Sequence, residues 1–209
     1  MWFRVRRVVR AGEGSLHWEK PRLGAAQSER ELIVKQKLLL AALVVGSIVF
    51  ADVSTKRWAL ESLRPGHIIE TAVGVPMTLA FNQGVAFGLP LPSAGRWIII
   101  FATLLVLFVL GNLFIRAERN DWLRLLSIEL VAAGALGNLI DRVRWDAGVV
   151  DFIGPINLGI MHWPIFNIAD MAITTGAVLL GISLWREETA AAAAAERINA
   201  PRTAEESGL

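Results

Sequence analysis

The sequence predicts an all-α polytopic membrane protein with four transmembrane helices. Two observations predict it. Hydrophobic residues fill 54% of the 209 positions and charged residues only 19%, with a mean hydropathy of +0.49. A soluble domain carries more charge for its size. The apolar residues also gather into four runs, each near the roughly 20 residues a helix needs to cross the hydrocarbon core. The same composition excludes other classes. There is no cysteine, so disulfides, thiolate metal sites and cysteine nucleophiles are ruled out. The histidines His17, His67 and His162 lie far apart, so neither a metal site nor a cofactor is expected. A net charge of +2, with bases scattered among acids, argues against a nucleic-acid partner.

The elements follow in order. Residues 1–36 read as a basic extension. The first span starts after Lys37, in "LLLAALVVGSIVFADVSTKRW". Only 14 residues separate Lys37 from Asp52, so a full span carries Asp52 at or inside its far edge. A signal-peptide reading of Leu38 to Ala51, cleaved after "VFA", would need an unusually long leading region. The second span lies between Arg96 and Arg116 and is uncharged throughout. The third runs from about Leu125 to Arg142, with Glu129 expected at its near interface. The fourth ends before Arg186. Counting back about 20 residues reaches Phe166 and puts Asp170 roughly a turn inside the boundary. These spans make residues 37–186 the membrane domain. Residues 187–209, with six alanines at 190–195, read as a tail that is either a fraying helix or disordered.

Lysines and arginines near span ends set orientation. They are dense before the first span and in the short link at Arg116, Arg119 and Arg124, and sparser between spans one and two. Both termini are therefore expected in the cytoplasm. Trp58, Trp97, Trp122, Trp163 and Trp185 fall near span ends, as an aromatic belt does.

This topology collects unusual polar residues on the opposite rim. Asp52 and Lys56 end the first span at helix spacing, where they can form a simple ion pair. Asn138 and Asp141 share a face near Arg142, in "GALGNLIDR", whose Gly134 and Gly137 allow close helix packing. Asp151 sits in an apolar loop context, which disfavours a free carboxylate. Asn167 and Asp170 open the fourth span. Either can cap its helix, but ionisable groups inside membrane segments point to function. Between the first two spans, "VPMTLAF" has strand character and "NQG" signals a turn. The apolar stretch from Val75 to Leu91 is expected to lie on the bilayer or cover a substrate, and Pro76, Pro90 and Pro92 argue against a continuous helix. From these residues alone, a channel or transporter and a non-catalytic assembly factor stay open beside an enzyme.

Five blocks in order then carry a resemblance. They are "DVSTK" at 52–56, "FNQGVAF" at 81–87, "GALGNLIDR" at 134–142, "VVDF" at 149–152 and "WPIFNIAD" at 163–170. The chain resembles the prolipoprotein signal peptidases, the type II signal peptidases of bacteria, from Lys37 to Trp185. The resemblance implies an aspartic endopeptidase of the bacterial inner membrane, with its site at the outer face. It implies Asp151 and Asp170 as the catalytic pair. Asp52, Lys56, Asn82, Gly84, Asn138, Asp141, Arg142 and Asn167 are implied as substrate-binding or supporting residues. It further implies a small extracytoplasmic β-like cradle and an interfacial helix. The implied partners are diacylglyceryl-modified prolipoproteins, cut before the lipidated cysteine, together with membrane lipid and the inhibitor globomycin; a monomer is expected. Such chemistry suits two carboxyls. Water is a weak nucleophile, so one carboxylate takes its proton while a second acid polarises the carbonyl. Held close, the two share a proton and titrate as a unit.

Overall fold

A computed structural model describes residues 23–72, 74–84 and 95–199. The chain divides into two compact units, Met1–Gln36 and Lys37–Leu209. The described part of the first, from Leu23, is helical. The second holds the four-helix body and two small sheets.

The elements run α1 (Leu23–Ser62), β1 (Ile69–Glu70), β2 (Pro76–Asn82), α2 (Gly95–Arg116), α3 (Trp122–Arg144), β3 (Val149–Ile153), β4 (Ile156–Asn157), β5 (His162–Trp163) and α4 (Ile168–Asn199). All four helices are long and apolar enough to cross a membrane. Strand character in "VPMTLAF" is realised as β2. Among the described residues no separate interfacial helix appears, and residues 85–94, with Pro90 and Pro92, lie outside them. Most of the 1–36 extension and residues 200–209 also lie outside.

One sequence expectation changes. The third span is longer than the run from Leu125 to Arg142, because Asp121 caps it a turn earlier, accepting from the Arg124 N–H at 3.2 Å. Glu129 therefore sits about 10 Å into the helix and is buried. The Lys37 ammonium is the cation whose field reaches it. The alanine run is helical, carrying α4 to Asn199, as the high helix propensity of alanine favours.

α3 and α4 pack closely because glycines remove side chains between them. A Cβ on Gly134 would run into the Ala169 carbonyl and lie 2.7 Å from Ile173. One on Gly176 would meet Val131 at 2.7 Å and the Ser127 carbonyl at 2.8 Å. Two bases that mark span boundaries in the sequence have a second task, which is to satisfy helix ends. Lys37 donates to the carbonyls of Phe114 and Ala117 at the end of α2, the latter at 2.8 Å. Arg96 donates to the carbonyls of Arg142 and Val143 at the end of α3, at 2.6 and 3.0 Å. Each places a cation where the helix dipole is negative.

The β1-β2-β3 sheet is antiparallel. Its register pairs Ala80 with Asp151 and Phe81 with Val150. Ala59 of α1 and Leu63 just after it pack with Leu79, Val150 and Phe152 to form its small core, and Trp58 meets Phe152 edge to face at 6.3 Å. The chain after β3 then doubles back. Phe166 exchanges backbone hydrogen bonds with Ile153 at 2.9 Å each way, which brings the start of α4 beside the end of β3. The β4–β5 hairpin bridges the two.

The glycine packing yields a prediction. Gly134→Ala should lower the unfolding temperature in detergent, by overpacking worth about 1–3 kcal/mol. Gly181→Ala, where nothing lies within 4 Å of the added methyl, should not lower it.

Candidate active site

The site begins with a helix start. Asn167 precedes α4, and its side-chain oxygen accepts from the Asp170 N–H at 2.9 Å. The Asp170 carboxylate reaches back to the Asn167 N–H at 3.3 Å. This is a reciprocal capping box. It uses Oδ2 of Asp170, while Oδ1 accepts from the Asn138 amide at 2.8 Å. The Asn167 amide nitrogen points the other way, donating to Asp151 Oδ1 at 2.6 Å, to the Asn138 side chain at 3.2 Å and to the Val150 carbonyl at 3.2 Å. Two asparagines thus link the carboxyl on β3 to the carboxyl on α4.

Beneath them lies a buried ionic cluster. The Lys56 ammonium contacts Asp52 Oδ2 at 2.8 Å, Asp141 Oδ2 at 2.9 Å and the Asn138 side-chain oxygen at 3.0 Å. Asp52 and Lys56 are 0% and 3% exposed. The spacing rule finds their pair, but it is a four-residue cluster rather than a surface ion pair. Each acid also holds backbone. Asp52 Oδ1 accepts from the Ala169 N–H at 2.9 Å, in the first turn of α4. Asp141 Oδ2 accepts from the Val150 N–H at 3.2 Å, next to Asp151. Gly137 makes room for this, since a Cβ there would lie 2.5 Å from Asp52 Oδ2.

The outer wall comes from β2 and its turn. The Asn82 side-chain oxygen accepts from the Gly84 N–H at 3.0 Å, and the Gly84 carbonyl accepts from Arg142 at 3.0 Å. Gly148 has φ +98°, and a Cβ there would overlap the Asn82 backbone, so glycine lets the turn before β3 touch β2. The carboxyl of Asp151, 3% exposed, is raised from 3.8 to about 7. Burial is the main cause and the nearby Asp170 charge the second; the Asn82 and Asn167 amides and the Lys56 ammonium oppose them. A carboxyl that holds its proton near neutrality beside a second carboxyl can donate and accept in one cycle.

All ten residues singled out in the sequence are drawn to one end of the four-helix body. Two were missed. Gly148 is a turn glycine whose close approach shows only in the paired strands. Arg96 was read as a span boundary, yet it ties the end of α3 just behind Arg142. Among the described residues no cluster of histidines and acids suits a metal ion.

The ionic cluster makes a prediction. Lys56→Met should leave two buried carboxylates without their counter-ion and destabilise the fold by about 3–5 kcal/mol, read as a lower unfolding temperature in detergent. Arg57→Met, which breaks only an exposed pair with Glu61, should leave that temperature within error of the parent.

Comparison with known proteins places this geometry. The profile of the family described as signal peptidase (SPase) II, Peptidase_A8, matches residues 44–186. The lipoprotein signal peptidase of Nitratidesulfovibrio vulgaris (strain DP4) is 35% identical over 161 residues, covering 75% of this chain and 94% of that one. The enzyme of the same name from Hydrogenovibrio crunogenus is 40% identical over 140 residues, covering 65% and 79%. A solved bacterial membrane enzyme, determined by the in meso method at 2.3 Å resolution, superposes with a TM-score of 0.64 at 32% identity, covering 71% of this chain and 89% of that one. The fold is thus shared along with the sequence. The chain belongs to the signal peptidase II family and is a multi-pass membrane protease.

Proposed function

We propose that this protein removes the signal peptide from diacylglyceryl-modified prolipoproteins, cutting before the lipidated cysteine with water activated between Asp151 and Asp170. The observation that carries the reading is the pair of carboxyls joined through Asn167 and Asn138, one of them titrating at about 7. The relatives' name, lipoprotein signal peptidase, supports the substrate class.

In this mechanism the ionised member of the pair takes a proton from water as the water oxygen attacks the scissile carbonyl carbon. The protonated member donates to the carbonyl oxygen as charge grows there. The tetrahedral intermediate then collapses, the C–N bond breaks, and the leaving nitrogen takes a proton from the pair. Asn167 and Asn138 keep both carboxyls oriented, since each amide donates to one carboxyl or the other. Arg142, anchored on the Gly84 carbonyl, supplies positive charge beside the developing oxyanion. Asn82 and Gly84 line the substrate side.

The peptidase body in this reading is residues 37–186, with 1–36 and 187–209 as cytoplasmic appendages. Both termini face the cytoplasm of a bacterial inner membrane and the site opens at the outer face, an orientation supported by the lysine and arginine distribution along the chain. That face is where a lipid-anchored cysteine presents its neighbouring peptide bond. The enzyme acts as a monomer among membrane lipids, and globomycin occupies the site as a substrate-like blocker.

Cleavage of a lipidated lipobox peptide by the purified protein tests this. Asp151→Asn and Asp170→Asn should each abolish cleavage while insertion and abundance stay normal, and globomycin should block the parent. Normal cleavage by either variant would sink the pair. Asp121→Asn, at the opposite end of α3, should cleave within about twofold of the parent, as surface substitutions away from a site do.

The pH dependence has a definite sign. Asp151 keeps its proton up to about 7 in the folded protein, against 3.8 as an ordinary aspartate. Between those values the folded state binds more protons than the unfolded chain. This contribution to stability is complete below 3.8 and lost as pH rises through about 7. Cleavage should decline as pH rises beyond about 7, as the pair loses its shared proton. A rate that stays level well above neutrality would contradict the assignment. Asp151→Asn, which has no proton to lose, should flatten the stability curve between 3.8 and about 7.

A further inference from the structure

The β4–β5 hairpin stands between the two acidic residues, joining β3 to α4. Its composition is unusual for a connection. The 18 residues from Phe152 to Ala169 include no Asp, Glu, Lys or Arg, and His162 is their one titratable side chain. The link at the other end of α3, "AERND" at 117–121, is the opposite, with three charges in five residues. Yet the hairpin is not folded inward. Ile160 is 95% exposed, Leu158 and Met161 about half exposed and Trp163 39% exposed. Its shape comes from its own backbone. Leu158 N–H bonds the Met161 carbonyl at 2.9 Å, the Asn157 side chain accepts from the Gly159 N–H at 2.8 Å, and Gly159 takes φ +83°. A tip built this way holds large apolar side chains outward, where water solvates them poorly.

The occupant follows from what the hairpin is continuous with. It leads straight into α4, whose outward residues Met171, Val178 and Ile182 are apolar and exposed, as the lipid-facing surface of a membrane helix must be. An uncharged tip with a tryptophan at its base has the makeup of an interfacial anchor. We propose that the β4–β5 tip, led by Leu158, Ile160 and Met161, inserts into the lipid on the site's side of the bilayer. Because one end of the hairpin carries Asp151 and the other Asp170, the inserted tip sets the depth of the carboxyl pair relative to the lipid surface. That consequence rests on the peptidase reading above; the lipid contact itself does not.

The cysteine-free chain allows a direct test. Full-length Ile160→Cys, Val178→Cys and Glu118→Cys proteins carry a nitroxide in vesicles of phosphatidylethanolamine and phosphatidylglycerol. Collision is measured with oxygen, which concentrates in hydrocarbon, and with a water-soluble nickel chelate. The Ile160 label should favour oxygen, as the Val178 label on α4 does, and the Glu118 label should favour nickel. An Ile160 label as open to nickel as Glu118 overturns the proposal. Dipolar broadening of its spectrum at low protein density also overturns it, by putting a second copy on the tip. In a second arm, Ile160→Asp should raise KM about fivefold for a lipopeptide embedded in vesicles, the scale of a charge at the interface, with kcat unchanged. The same variant should cut detergent-dispersed lipopeptide at the parent rate. An unchanged KM in vesicles overturns the depth-setting role. If the parent cuts neither substrate, the peptidase reading fails while the collision result still decides the lipid contact.

Discussion

The architecture of the site depends on one buried ammonium. Lys56 is shared by Asp52, Asp141 and Asn138, and each of these holds a further group on α4 or β3. Asp52 holds the first turn of α4, Asp141 holds the backbone beside Asp151, and Asn138 holds the Asp170 carboxylate. α3, which carries Asn138 and Asp141, and through these contacts β3 and α4 are thus referenced to one charge on α1. Burying ions is costly, and a buried pair often contributes little net stability over an apolar substitute. Its value here lies in geometry. An apolar residue at position 56 packs without direction, whereas an ammonium with three donors fixes three acceptors at hydrogen-bond distance.

That fixed frame allows the asparagines to act as they do. An amide has two donors and one acceptor, and Asn167 uses them all. Its oxygen caps α4 while its nitrogen reaches Asp151. A carboxylate in its place would repel Asp151, and an alanine would leave α4 uncapped. The same economy governs Asp170, which spends one oxygen on the capping box and one on Asn138. Structural capping and chemical readiness are not rival readings of these residues. The cap is how a helix start is held rigidly enough to present a carboxyl.

Burial separates the two carboxyls. Asp151 lies on β3 beside Ala80 of β2, with Val150 and Phe152 in the apolar core on either side of it in sequence. Its desolvation is built into the strand. Asp170 is only partly buried, at the end of a helix facing the site. Burial thus raises the Asp151 carboxyl toward neutrality, with the nearby Asp170 charge adding to it.

Hydropathy runs, boundary charges and local spacing made the four helices, the strand at "VPMTLAF" and the Asp52–Lys56 pair legible in the sequence, because each follows from neighbours a few residues apart. Five short blocks marked Asp151 and Asp170. The early start of α3 was missed because a cap at Asp121 adds a turn that hydropathy does not register. The second tasks of Lys37 and Arg96, and the need for glycine at 148, were illegible because their partners lie on other elements. What the sequence by itself determined was which segments are apolar enough to cross a membrane and which polar side chains stand at their ends, since both depend on local residue character. Only the tertiary structure decided that Lys56 joins two acids 89 residues apart and that Asn167 spans from cap to carboxyl. Those contacts arise from the close approach of α1, α3, α4 and β3, which no local pattern encodes.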